Sequence, residues 1–241
     1  MSLPPAHRLR DPVLLFALSC ALALGWLLVG LVSLDTIDQV FAESGPIESA
    51  SAMLLILGAL ALSVDMIVRK EPGRWHLAVL VTAAGLRELD WDKAFTDSGI
   101  LSLRLYSGDS PIGQKIAGAL IVALVVCAGL RLLRHNLWPW LSGLRGGQVW
   151  AWLMAAALML YAVAKSLDGL GRKLAPRGIE LSDWANRTAG HAEEGLELFA
   201  AILILQVVAL SLLRQRSRSG AEQRPRHMRA ATGAMTQRRG L

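Results

Sequence analysis

Apolar residues fall in six long runs separated by short polar stretches: roughly Pro12–Leu34, Ile47–Val68, Trp75–Lys93, Pro111–Leu133, Gln148–Leu170 and Thr188–Leu213. About 20 apolar residues in a helix cross the ~30 Å hydrocarbon layer of a bilayer, and four of the runs reach that length outright. In the third run the purely apolar part is only Trp75–Leu86. A helix of about 12 residues covers ~18 Å, so it crosses only by continuing through Arg87–Lys93. Glu88 and Asp90 then lie inside the membrane; a re-entrant or interfacial segment is the alternative. In the sixth run Leu196–Leu213 nearly spans alone, which sets Glu194 at the polar boundary. Lys165 lies deep in the fifth run. The pattern predicts an all-α integral membrane bundle of about six transmembrane helices over residues 1–213, followed by a basic, disordered tail over 214–241. The first run is too long for a signal-peptide core and lacks a small-residue cleavage site, so it reads as a retained span.

Composition sharpens this picture. Of 241 residues 54% are apolar and 18% charged, a bias that a soluble core of this size does not need. The two cysteines, Cys20 and Cys127, each sit in an apolar run and offer neither a disulfide framework nor metal-ligand spacing. The net charge of +6 raises the question of nucleic acid. Eight arginines, however, are confined to the tail from Arg214 to Arg239, directly after an apolar run and without a nucleic-acid motif. Such a tail is a topology signal or a contact for anionic lipid. With the N-terminus placed in the cytoplasm, segments 1–11, 65–76, 131–147 and 214–241 hold 16 of the 25 Lys and Arg residues but 4 of the 19 acids. The basic bias agrees at every inner segment, so both termini are expected to be cytoplasmic. Compact loops and the basic tail suit a bacterial inner membrane. Trp91, Trp138, Trp140, Trp150 and Trp184 fall where interfacial anchors are expected.

The same topology collects the acids of four runs at the outer end, and an ionisable group at membrane depth needs a partner, a metal or a water-filled cavity. In the last run, helical spacing puts His191 beside Glu194, and Glu194 beside Glu197. A Glu and a His three apart occur in carboxylate-bridged metal sites of helical bundles, although in the opposite order and as a repeated pair. The alternative is a helix N-terminus whose acids complement the macrodipole, with Thr188 as its cap. In the third run Arg87 and Asp90 are neighbours, and Glu88 shares a face with Asp92. This is either a self-neutralising ladder, with Lys93 and Lys115 as further partners, or the wall of a polar cavity. Glu43, Glu48, Ser49 and Ser51 open the second run, after or around Pro46, which suits a first helical turn. A serine nucleophile would need His191, the one histidine on this side.

The pattern Glu43…Glu48, then Glu88-Leu-Asp90-Trp91, then His191…Glu194…Glu197 resembles a group of bacterial multi-pass membrane proteins of no assigned activity. It is also loosely similar to seven-span membrane hydrolases of the alkaline-ceramidase type, which arrange Ser, Asp and His around zinc near a membrane face. Six expected spans and one usable histidine depart from that family, so its residues are not carried over.

These observations lead to three expectations. The first is a metal-dependent, membrane-embedded hydrolase or transferase acting on a lipid or lipid-linked substrate. Glu48, Glu88, His191 and Glu194 would hold a divalent metal (Zn, Mn, Fe, Mg or Ca), with Asp90 or Glu197 as general base and Lys165 or Arg87 on an anionic group. The second is an ion- or proton-coupled transporter that uses the same acids. The third is a non-enzymatic assembly protein held by an ion-pair network.

Overall fold

The computed structural model describes the backbone of residues 7–32, 40–41 and 45–238, and side chains from 13 to 215 within them. Glu43, one of the acids singled out above, lies outside the described residues. Every regular element among the described residues is helical: α1 (His7–Leu31), α2 (Pro46–Arg69), α3 (Trp75–Glu88), α4 (Trp91–Phe95), α5 (Leu103–Ser107), α6 (Ile112–Arg145), α7 (Val149–Leu167), α8 (Leu170–Leu174) and α9 (Asp183–Arg238), with short 3₁₀ turns at Pro72–Arg74 and Ala175–Arg177. Five of them, α1, α2, α6, α7 and the Asp183–Gln215 part of α9, are long and apolar enough to cross a membrane.

Local chemistry sets the ends of α2. Pro46 occupies the first turn, where its missing N–H costs nothing. At the other end Lys70 turns into the left-handed region (φ 55°); its N–H donates to the Ile67 carbonyl and the Glu71 N–H to that of Met66. This is the double bond of a Schellman stop. Pro72 follows and turns the chain straight into α3.

The third apolar run departs from expectation. A helix continuing through Lys93 does not form: α3 ends at Glu88, and Asp90 adopts φ 45°, ψ 31°. Asp tolerates this left-handed conformation better than most residues. Here Arg87 and Lys93 both donate to its carboxylate, at 2.8 and 2.7 Å. The charges that a continuous helix would line up as a ladder instead pin a turn. The 14 residues of α3 therefore extend ~21 Å. The fourth run departs in the other direction. Instead of stopping near Leu133, α6 runs 34 residues to Arg145, straight through Pro139.

Helix α9 is the hub, packed by α1, α2 and α7, while α3 lies on α2 and α6 joins α3 to α7. The main core unites Leu54 and Leu55 of α2, Ala201 and Ile202 of α9 and Ala23 of α1. Helix α7 meets the bundle through the fully buried Ala151, Ala157 and Ala164, small residues that let helices approach closely. Large apolar side chains cover the outside, among them Leu24, Leu120, Leu130, Trp152, Met159 and Phe199. A surface this apolar is stable against lipid and not against water.

Candidate functional site

The two ends of the bundle are chemically different. At one end Asp65 binds Arg69 at 2.6 Å and approaches Arg74 at 3.8 Å, while Arg74 donates to Ser211 at 3.2 Å. His76 pairs with Asn136 at 2.9 Å, and Arg131 donates to the Gly73 carbonyl. Arg214 lies over the Trp150 ring, and the Trp140 indole donates to the Ala151 carbonyl. These contacts tie the basic end together through one acid, Asp65, and through carbonyl, hydroxyl and aromatic partners of the remaining cations.

The opposite end is acidic. From the Arg74–Ser211 hydrogen bond, fourteen residues forward along α3 reach Glu88, and fourteen back along antiparallel α9 reach Glu197. Equal rise brings the two carboxyls to one level, ~21 Å from that bond. Both are buried, 8% and 5% exposed, and close enough to interact electrostatically with each other. Lys165, near the C-terminus of α7, places its ammonium 2.7 Å from Glu197 and 3.5 Å from Glu193. Tyr161, one turn earlier on the same face of α7, lies within electrostatic reach of Glu88 and Glu197, and its buried hydroxyl oxygen has no protein hydrogen-bond partner. Glu194 lies within electrostatic reach of Glu48, Glu193 and Glu197. Asp168 adds another acid and is approached by Arg172 at 3.8 Å.

Two features make this a site for positive charge. Five acids (Glu88, Asp168, Glu193, Glu194 and Glu197) lie within electrostatic reach of Lys165, Glu48 adjoins Glu194, and Arg172 and Lys173 are the cations described at the rim, Lys173 on the Lys165 carbonyl. In addition, Glu88 ends α3, so the negative pole of the helix macrodipole points at the same spot. Protons or a bound cation would balance the excess.

The structure treats the residues named from sequence unequally. Glu88, Glu197 and Lys165 come together at the centre, with Glu48 and Glu194 alongside. The His191 ring stacks on Phe41, centroids 4.4 Å apart. Among the described residues no three of His, Cys, Asp and Glu are placed to share a metal ion, so Glu48, Glu88, His191 and Glu194 are not assembled as a ligand set. Asp90 is held by Arg87 and Lys93, and Asp92 accepts the Ile100 N–H at 3.0 Å to shape the following loop. Lys115 reaches the Gly108 carbonyl rather than Asp92. Ser51 donates to its own helix at the Ile47 carbonyl, and Ser49 bridges the Trp26 indole and the Pro46 carbonyl. Tyr161 escaped the sequence reading, although its position four residues before Lys165 puts both on one helical face.

No family model, curated protein or solved structure matches this chain.

Proposed function

We propose that the chain is an ion-coupled membrane carrier whose coupling ion, a proton, is held by Glu88 and Glu197 with Lys165 as the internal counter-ion. The observation that carries this reading is the carboxyl pair itself: two buried acids from different helices, meeting where α3 breaks. Two neighbouring buried acids resist both being charged and so share one proton, and a cation that replaces it meets two carboxylates rather than a formed ligand set. Carriers characteristically build such sites at interrupted helices. The basic end, cross-linked by Arg74, Arg131 and Arg214, fits a carrier resting with its site open to one side only.

Charge bias supports an acidic end outside and a basic end in the cytoplasm, and compact loops with a basic tail suit a bacterial inner membrane. The direction of α3, from the basic towards the acidic end, supports counting it as a sixth, shortened crossing, which returns both termini to the cytoplasm. A metal-dependent lipid hydrolase on the same residues has less support. Among the described residues no three of its ligand types are placed to hold one metal ion, and Asp90, one of its candidate bases, is occupied by two cations.

The test is proton release. Purified protein in weakly buffered detergent, monitored with a pH dye, receives pulses of Na⁺, K⁺, Mg²⁺ or Ca²⁺. At least one cation is expected to displace protons from wild type. Glu88→Gln and Glu197→Gln should release fewer, while Glu71→Gln, at the basic end, matches wild type. Absence of release from well-folded wild type with every cation overturns the proposal.

A further inference from the structure

On the side of α3 away from the acid cluster, a groove of about 770 Å³ runs between α3 and α6. Its walls include Val79 and Ala83 on α3 and Val122 and Val125 on α6. Met66 and Trp75 mark one end; Arg87 and Trp91 mark the other. It thus follows the whole ~21 Å of α3 and is apolar apart from Ser63 and Thr82 along its length and Arg87 and Asp92 at one end.

We propose that this groove binds one membrane phospholipid, with an acyl tail lying along α3 and α6 and the phosphate on Arg87. Three observations select this occupant. The first is depth: the groove is flanked by α2 and α6, both long and apolar enough to cross the bilayer, so hydrocarbon is the medium that fills it. The second is size. A methylene chain, with carbon contacts of about 3.5–4.0 Å, is only ~4–5 Å across and fits. The third is charge. The guanidinium of Arg87 has five N–H donors, and its bond to Asp90 uses one end of the fork on a side chain that is still half exposed. Planar bidentate donors of this kind suit phosphate oxygens. The other carboxylate at the rim, Asp92, is turned onto the Ile100 N–H and leaves the Arg87 end to an anion. A bound tail would also give the short α3 the packing partner that α6 supplies only in part.

The proposal does not depend on the carrier reading, since Glu88 faces away from the groove and takes no part in it. Its test uses a phosphatidylglycerol with a diazirine in mid-tail, incorporated into phosphatidylcholine vesicles with the full chain, irradiated and mapped by peptide mass spectrometry. Cross-links are expected on the groove faces of α3 and α6, saturating with probe and competed by unlabelled phosphatidylglycerol. Ala83→Phe and Val122→Phe, from opposite walls, each reduce the yield several-fold; Leu158→Phe, on the exposed face of α7, leaves it unchanged. Arg87→Gln weakens competition by phosphatidylglycerol but not by diacylglycerol, which has no phosphate. Cross-links scattered over α1, α6 and α7 in proportion to exposure, without saturation, overturn the proposal. So does an intermolecular disulfide formed efficiently by Val122→Cys, which would put a second copy in the groove.

Discussion

Replacing Lys165 by methionine should destabilise the protein, and removing the carboxylate it serves should undo most of the damage. The Lys165 ammonium sits 2.7 Å from a Glu197 side chain that is only 6% exposed. Without it, Glu197 is left buried beside Glu88 with no cation in contact. Breaking one partner out of a fully buried pair costs about 3–5 kcal/mol, chiefly through the stranded charge. Lys165 itself is 52% exposed, so water already shares the interaction and the cost falls to roughly half, about 1.5–2.5 kcal/mol. For a chain of this size that is on the order of 4–8 °C in unfolding midpoint. Glu197→Gln is far milder, below about 1 kcal/mol, because a half-exposed ammonium keeps water and Glu193 as partners. The double variant Lys165→Met/Glu197→Gln should therefore recover most of the loss, a coupling that simple additivity does not give. Thermal unfolding of the four proteins in one detergent, followed by intrinsic fluorescence, reads the order directly. The reasoning fails if the double variant is as unstable as Lys165→Met, or if Lys165→Met matches wild type.

Three further outcomes are expected. A methyl group at Gly58 meets Leu205, Val81 and Val208 at an ordinary 3.6–3.9 Å, so Gly58→Ala gains helix propensity and stabilises by about 0.5–1 kcal/mol; at Gly85 it meets Ile56 and Leu55 at 3.1–3.2 Å, so overpacking of about 1–3 kcal/mol cancels or exceeds the same gain. Thermal midpoints should rank Gly58→Ala above wild type and Gly85→Ala at or below it. Asp92→Ala removes the acceptor of the Ile100 N–H, about 1.5–3 kcal/mol for a hydrogen bond to a charged group, and should speed hydrogen exchange at residues 96–101 while proton release stays normal. Tyr161→Phe removes a buried hydroxyl that has no protein partner, so stability should hold or rise by about 1 kcal/mol. A simultaneous fall in cation-linked proton release would place that hydroxyl in the proton site.

The sequence by itself determined that the chain is helical and holds membrane-length apolar runs, because span length and hydropathy are local properties that need no tertiary contacts. It also determined which end of the bundle collects acids and which collects cations, since successive spans must alternate in direction. What it left open was the course of individual helices and the partners of individual charges. The third run reads as one helix through Lys93 because Arg87, Glu88, Asp90 and Lys93 are compatible with a helix by spacing. Only the folded chain shows that Asp90 binds both cations by leaving the helix. That break decides the site: it ends α3 at Glu88, opposite Glu197 on α9. Spacing along α9 put His191 beside Glu194, but only the folded chain shows the imidazole stacked on Phe41 and Glu193 and Glu197 on Lys165. The groove beside Arg87 has no signature in the sequence, because it arises where a short helix meets a long one.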